Sequence, residues 1–266
     1  MSAPLVSVVI TTFNWKDKRL NQAIESVLHQ TYKNIEVIIV NDASTNNVEN
    51  VILSYCKTFD NIKYLKNEKN SERCYFRNRG IFESKGKYIA FLDDDDVWAD
   101  ENKLKKQIFF LESNTWYVMC WTSFLNIDKD WCCIWKIKVQ ESNIKIRKSF
   151  LLSNQFALSS VVIRKDVLLF SWFFNPDFNK VEDYDLWLRI WKYWSFWNIV
   201  DSYILYRTWQ WNTTTTSNFL MRKLWLSLIY KNKQYYPNFY KALFFRIWGL
   251  LIPQTVKLFI SKYFKL

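Results

Sequence analysis

The chain has 266 residues, half of them apolar, with a formal net charge of +12 and a pI near 9.3. That suits one large α/β domain, with or without a C-terminal appendage, and a basic balance of this size points to anionic partners: nucleotides, polyphosphates, nucleic acid or a membrane surface. The single histidine, His29, argues against a Ser/Cys–His nucleophile and a His-rich zinc site.

Met1-Ser2-Ala3-Pro4 has no basic segment followed by a cleavage site, so no signal peptide is expected. The apolar run Leu5–Ile10 predicts a buried first strand that ends in polar Thr11-Thr12-Phe13-Asn14. Leu20, Ala23, Ile24, Val27 and Leu28 recur at helical spacing and predict a helix over Leu20–Gln30, with His29 in a surface or packing role. Ile35–Val40 predicts a second strand running into Asn41-Asp42-Ala43-Ser44, followed by a helix near Val48–Phe59. Ile62–Leu65 reads as a short third strand, Cys74–Lys85 as a helix, and Tyr88–Leu92 as a fourth strand. This β-α-β-α-β-α-β order predicts a doubly wound, mostly parallel sheet flanked by helices. Its polar strand ends then share one edge, where ligands bind in such sheets.

The fourth strand opens directly into Asp93-Asp94-Asp95-Asp96. Acidic runs are commonly solvated loops. This one is held between an apolar strand and Val97-Trp98, so its carboxylates resist desolvation unless a cation meets them. Oxygen-only ligands favour a hard cation such as Mg2+ or Mn2+. Asp42 and Glu182-Asp183 fall on the same predicted edge, although Asp42 reads equally as a turn or cap residue and Glu182-Asp183 as helix-start charge.

Beyond the aspartates a helix is expected near Lys103–Leu111, then short strands at Tyr117–Met119, Ile134–Val139 and Ser159–Ile163, and a helix over Glu182–Ile190. Thr213–Thr216 reads as a polar loop. Residues Leu224–Leu266 are apolar and basic, but Arg246, Pro253 and Lys257 interrupt them before any run reaches spanning length. They predict amphipathic helices that lie on a membrane surface or pack onto the domain. The five cysteines form no C-x-x-C pair and are expected as reduced core thiols of a cytosolic protein.

Fifteen Trp stand against three Gly, where ordinary usage gives about 19 Gly. Many Trp occupy turn-like contexts (Trp15, Trp131, Trp194, Trp211) that call for positive φ. The expectation is that most of them stand where the natural product carries glycine, from a codon read under another genetic code. Trp98 and Trp187, in apolar contexts, are expected to be genuine.

Five segments in this order resemble family 2 glycosyltransferases: Val8–Asn14, Gln30–Thr45, Arg77–Ile81, Gly86–Asp96 and Glu182–Arg189. The resemblance spans about Leu5–Arg207 and implies a GT-A fold over residues 1–223, with basic amphipathic helices over 224–266 as a C-terminal appendage. It implies an inverting transfer of one sugar from a nucleotide-diphosphate sugar to a glycan or lipid-linked acceptor hydroxyl, in cell-envelope polysaccharide or glycolipid synthesis. No nucleic-acid partner is expected, and the expected location is cytoplasmic or peripheral on the inner membrane face. The metal, Mn2+ or Mg2+, falls to Asp93, Asp95 and Asp96, and the catalytic base to Asp183 with Glu182 as the near alternative. Donor binding falls to Thr11, Phe13, Asn14, Asp42, Arg77, Asp93 and Asp94. Asn41 stands where many members have Asp, and the Q-x-x-R-W motif of processive members is absent after Asp183, which argues for single-sugar transfer. Trp172, Trp194 and Trp197 depart from turn glycines of the family. The rival readings are a nucleotidyltransferase-like enzyme and an inactive scaffold of the same fold.

Overall fold

The computed structural model describes residues 3–14, 17–128, 131–137, 139, 142–208 and 219–251. Strands β1 (Val6–Thr12), β2 (Ile35–Asn41), β3 (Ile62–Lys66) and β4 (Tyr88–Asp93) form a parallel sheet in the order β3-β2-β1-β4. Helices α1 (Asp17–Leu28), α2 (Val48–Thr58) and α3 (Arg73–Glu83) connect them. Every residue of β1 is buried, and β4 is buried up to Asp93. Both faces of these strands are covered, so the sequence shows continuous apolar runs rather than alternation. The chain order reverses between β1 and β4, and Thr11 pairs with Asp93 there. A crevice at this switch point is the expected ligand position.

The second half comprises β5 (Val97–Trp98), α4 (Lys103–Ser113), β6 (Tyr117–Ile127), β7 (Cys133–Ile137), α5 (Asn143–Ser149), β8 (Val162–Arg164), α6 (Lys165–Phe170), α7 (Glu182–Ile190), β9 (Ser195–Arg207), α8 (Phe219–Lys231) and α9 (Phe239–Leu251). The sheet continues β4-β8-β6-β9-β5, with β8 antiparallel to both neighbours and β9 parallel to β6. The result is a mixed, mostly parallel sheet. Several elements differ from expectation. β6 runs well past Met119, β9 was not anticipated, and Leu158–Ser160 is a 3-10 turn ahead of β8. The expected boundary at 223/224 falls inside α8. Met221, Leu228, Ile229, Tyr236 and Ala242 are buried in one cluster with Trp187 of α7, so the inner side of α8–α9 packs onto the domain. No described helix is long and apolar enough to cross a membrane. Thr213–Thr216, Trp15, Trp211 and residues 252–266 lie outside the described residues.

The core-thiol expectation needs correcting. Cys74 and Cys120 are buried, but Cys132 and Cys133 are exposed at the β6–β7 hairpin and Cys56 is half-buried. Gly80 is required by close approach, since a Cβ there would meet Val9 Cγ1 at 2.5 Å. The tryptophans divide. Trp98 and Trp187 are buried, with Trp98 Nε1 donating to Ser159 O at 2.7 Å. Trp131 and Trp172 have left-handed backbones, φ 68° and 57°. Trp172 follows the C-cap of α6. Its N–H donates to Leu169 O, and that of Phe173 to Leu168 O. This is the helix-ending turn whose first left-handed position is usually glycine. The Trp172 side chain is 85% exposed, so it contributes little packing in return for the strained backbone. Trp194 and Trp197 do not have positive φ.

Relief of left-handed strain is worth about 1–2 kcal/mol, offset in part by the entropy glycine loses on folding. Trp172→Gly and Trp131→Gly are therefore expected to leave the protein as stable or more stable, by up to about 1 kcal/mol. Trp187→Gly is expected to cost at least about 3 kcal/mol. Urea denaturation of the three variants separates the two classes.

Candidate active site

The C-terminal ends of β1 and β4 open onto a cleft of about 930 Å³, a size that holds a small-molecule ligand. Asp93–Asp96 forms a turn closed by Asp96 N–H donating to Asp93 O at 3.1 Å. The turn sorts the four carboxylates. Asp93 and Asp95 are half-exposed and line the cleft; Asp94 lines it from a buried position. Asp96, expected among the metal ligands, is buried and turned into the protein. Its Oδ2 accepts from Ser159 Oγ at 2.5 Å and its Oδ1 from Arg207 N at 3.0 Å. Burial, then the charges of Asp95 and Asp93, push Asp94 and Asp96 well above the usual carboxylate range.

Arg77, on α3, is buried and spans two carboxylates. Nη2 donates to Asp93 Oδ1 at 2.9 Å and Nη1 to Glu182 Oε1. Burial works against its charge, but Asp93 and Glu182 outweigh that and hold the guanidinium above its ordinary value. Expected as a donor contact, Arg77 lines the cleft while both of its Nη groups serve protein carboxylates.

Glu182 and Asp183 begin α7. Glu182 is buried against Arg77, whereas Asp183 is half-buried on the cleft wall. Tyr184 N donates to Asp183 Oδ1 at 2.7 Å and Asn154 Nδ2 to Oδ2 at 2.8 Å. Burial and the adjacent Glu182 charge push Asp183 up to about 6, against the lowering effect of Arg77. That value suits a group that must take a proton near neutral pH.

Asp42, at the end of β2, is buried and accepts four bonds of 2.6–2.9 Å from Asn67 Nδ2, Asn70 Nδ2, and the N–H and Oγ of Ser71. Thr11 and Phe13 line the cleft. Asn14 instead faces a neighbouring loop, its Oδ1 accepting from Thr45 N at 2.7 Å and its N–H donating to Ser44 Oγ at 2.9 Å. Sequence reasoning missed Asn154, Ser159, Arg207 and the Asn67–Ser71 loop. The loop alone carried a signal, since it follows β3 at the same sheet edge. Phe156, Met221 and Trp225 add apolar surface to the cleft lining.

The oxygen-only donors fit a hard divalent ion. Asp93 and Asp95 face the cleft, and Asp94 Oδ2 and Glu182 Oε2 are buried acceptors with no hydrogen-bond donor. Among the described residues no group of three or more His, Cys, Asp or Glu stands ready for a metal. Two carboxylates suffice where ligand phosphates complete the coordination, as is usual for Mg2+.

A family model described as Glycosyl transferase family 2 matches residues 7–156. The uncharacterized glycosyltransferase MJ1057 of Methanocaldococcus jannaschii is 29% identical over 274 residues, covering 98% of this chain and 93% of its own length. S. aureus TarS 1-349, solved in complex with UDP-GlcNAc, superposes with a TM-score of 0.69 at 17% identity, over 85% of this chain and 66% of TarS. The mannosyltransferase PcManGT of Pyrobaculum calidifontis, solved with GDP-Man and Mn2+, gives 0.66 at 12% identity, over 92% of this chain and 69% of its own. At such identities the likeness to the two solved structures is one of fold.

Arg77→Met leaves Glu182 buried without its partner and is expected to cost about 3–5 kcal/mol. Adding Glu182→Gln should recover part of that loss, because the two positions are coupled. Equal and additive costs in a denaturation cycle would mean that the ion pair is not what holds α7 to α3.

Proposed function

The chain belongs to glycosyl transferase family 2 and is a glycosyltransferase of GT-A fold, and from that premise we propose an inverting transfer of one sugar from a nucleotide-diphosphate sugar to an acceptor hydroxyl. The observation that carries this reading is Asp183, held by Asn154 and Tyr184 on the same cleft as Asp93 and Asp95, with a carboxyl raised to about 6. Its carboxylate takes the acceptor proton as that oxygen attacks the anomeric carbon. Glu182 is committed to Arg77 and serves to orient the start of α7. Asp93 and Asp95 would hold Mn2+ or Mg2+. When bound, the ion supplies Lewis-acid stabilisation of the leaving diphosphate. The Mn2+ and nucleotide sugars bound by the structural neighbours support a donor of this class.

Asp42 belongs to the nucleotide side of the cleft, where its four internal bonds fix the loop that meets the base. Thr11, Phe13 and Asp94 line that side, and Asn14 supports it through the Ser44–Thr45 loop. The acceptor is a glycan or lipid-linked hydroxyl of cell-envelope polysaccharide or glycolipid synthesis. The basic excess supports cytoplasmic work at the inner membrane face.

A donor screen for nucleoside diphosphate release, with and without Mn2+, tests the class; release of pyrophosphate would instead favour nucleotidyl transfer. Asp183→Asn should keep donor affinity while turnover falls about 10²–10⁴-fold. Near-normal turnover in that variant sinks the base assignment. Asp95→Asn should abolish metal-dependent donor binding in calorimetry. A base acts only when ionised, so turnover should fall about tenfold per pH unit below about 6 and level off above it. A profile flat from pH 5 to 8 would contradict the role given to Asp183.

A further inference from the structure

Charge is divided unevenly along this chain. All 25 acidic residues lie at or before Asp201, and ten lysines and arginines follow with no acid among them. Most of the +12 net charge therefore sits on the last quarter of the sequence, which includes α8 and α9. The outer arc of α9 is apolar as well. Tyr240, Phe244, Phe245 and Ile247 are 83%, 61%, 50% and 43% exposed, while Ala242 on the opposite side is buried and Arg246 Nη2 donates to Leu152 O at 2.9 Å. Lys241 is exposed within the arc and Lys233 at the turn between the helices, whereas the Lys231 ammonium lies over the Phe178 ring of the domain at 5.2 Å. A contiguous apolar surface of this kind marks an interaction site.

We propose that the α8–α9 hairpin docks the protein onto an anionic phospholipid surface, with the α9 aromatics at headgroup depth and the surrounding lysines against the lipid phosphates. Aromatic and aliphatic side chains on one arc, with lysines at its margins, form the pattern of a helix lying in the interface plane. A second copy of this chain fits the face poorly. A self-complementary contact there would bring two basic hairpins together with no acid on either to offset them. An anionic bilayer supplies the missing charge.

The inner side of the same hairpin contributes Met221 and Trp225 to the cleft wall. Docking through the outer arc therefore engages the same hairpin that walls the cleft, and leaves only that hairpin between the two. Together with the proposed sugar transfer, on which this step rests, that geometry assigns the acceptor to the lipid-anchored class.

The test is co-sedimentation of the full chain with vesicles of phosphatidylcholine, with and without phosphatidylglycerol, at low and high salt. Binding is expected to require phosphatidylglycerol and to weaken with salt. Phe244→Glu/Phe245→Glu and, separately, Lys233→Glu/Lys241→Glu are expected to lower vesicle binding by about tenfold or more, with Tm unchanged because all four side chains are exposed. Equal binding to neutral vesicles, or no binding, overturns the proposal. So does a concentration-dependent dimer that Phe244→Glu/Phe245→Glu abolishes while the parent chain ignores vesicles. If Lys257→Glu/Lys262→Glu/Lys265→Glu removes binding and the hairpin variants retain it, the hairpin assignment is wrong. Vesicle binding needs no donor, so a chain that docks but transfers no sugar keeps the docking claim and loses the transfer reading.

Discussion

Everything at the cleft depends on one buried guanidinium. Arg77 sits on α3, between Asp93 at the end of β4 and Glu182 at the start of α7, and it is ion-paired to both. Those partners are 16 and 105 residues away in sequence. A carboxylate as buried as Glu182 is tolerable only beside a fixed cation, and a buried cation only beside fixed anions. The arrangement is therefore mutually enforcing: the strand that carries the aspartates and the helix that carries Asp183 meet where one planar fork can serve both. Arginine suits the position because its charge persists and its geometry is rigid, where a lysine offers a single point charge.

That constraint also explains how four adjacent aspartates coexist. Four ionised carboxylates in a row would repel strongly at low dielectric. Here Asp93 is paired to Arg77. Asp96 is buried on Ser159 Oγ and a backbone N–H, and Asp94 is buried and shifted toward its neutral form. The support continues outward. Ser159 Oγ also accepts from Asp93 N, its carbonyl accepts from Trp98 Nε1, and the Trp98 ring lies under the buried Lys103 ammonium at 4.0 Å. Lys103 in turn bonds Gln107, whose amide ties the carbonyls of Cys120 and Ser160 together. Two carboxylates, Asp93 and Asp95, remain at the cleft face on a turn that is rigid from below.

The parts of this fold that sequence patterns reveal are those dictated locally. β1, β2 and β4 are largely apolar runs buried along almost their whole length, β3 is a shorter run with Lys63 and Lys66 exposed, and the bounds of all four lie within two residues of expectation. The α7 helix coincides with its expected span because its acids mark the first turn and its apolar spacing marks the rest. β9 was hidden for the opposite reason. Ser195, Asn198 and Asp201 interrupt its apolar residues, and its partner β6 lies far back in the chain, with Tyr117 paired to Ser195 and Ile127 to Arg207, so its extended form is fixed by pairing and not by pattern. Most of the residues that hold the site were equally invisible. Asn67, Asn70 and Ser71 look like any polar loop until Asp42 collects all three, and Asn154 and Ser159 carry no local sign of the acids they serve.

The C-terminal hairpin belongs to the same physical unit as the cleft, although sequence pattern separates them. Tyr184 follows Asp183 directly. Its ring packs on Trp225 of α8 at 4.3 Å, and its hydroxyl donates to Phe150 O. Arg246 of α9 lies over Trp225 at 3.9 Å and ties down Leu152 O, two residues from the Asn154 that holds Asp183. The inner face of the hairpin thus shapes the wall beside the proposed base, while its outer face is apolar and basic. An element that only closed a hydrophobic core would not need Tyr240, Phe244 and Phe245 in solvent, nor a run of cations with no acid among them. The burial of one face and the exposure of the other make sense together if the hairpin joins the cleft wall beside Asp183 to the lipid surface proposed for its outer face.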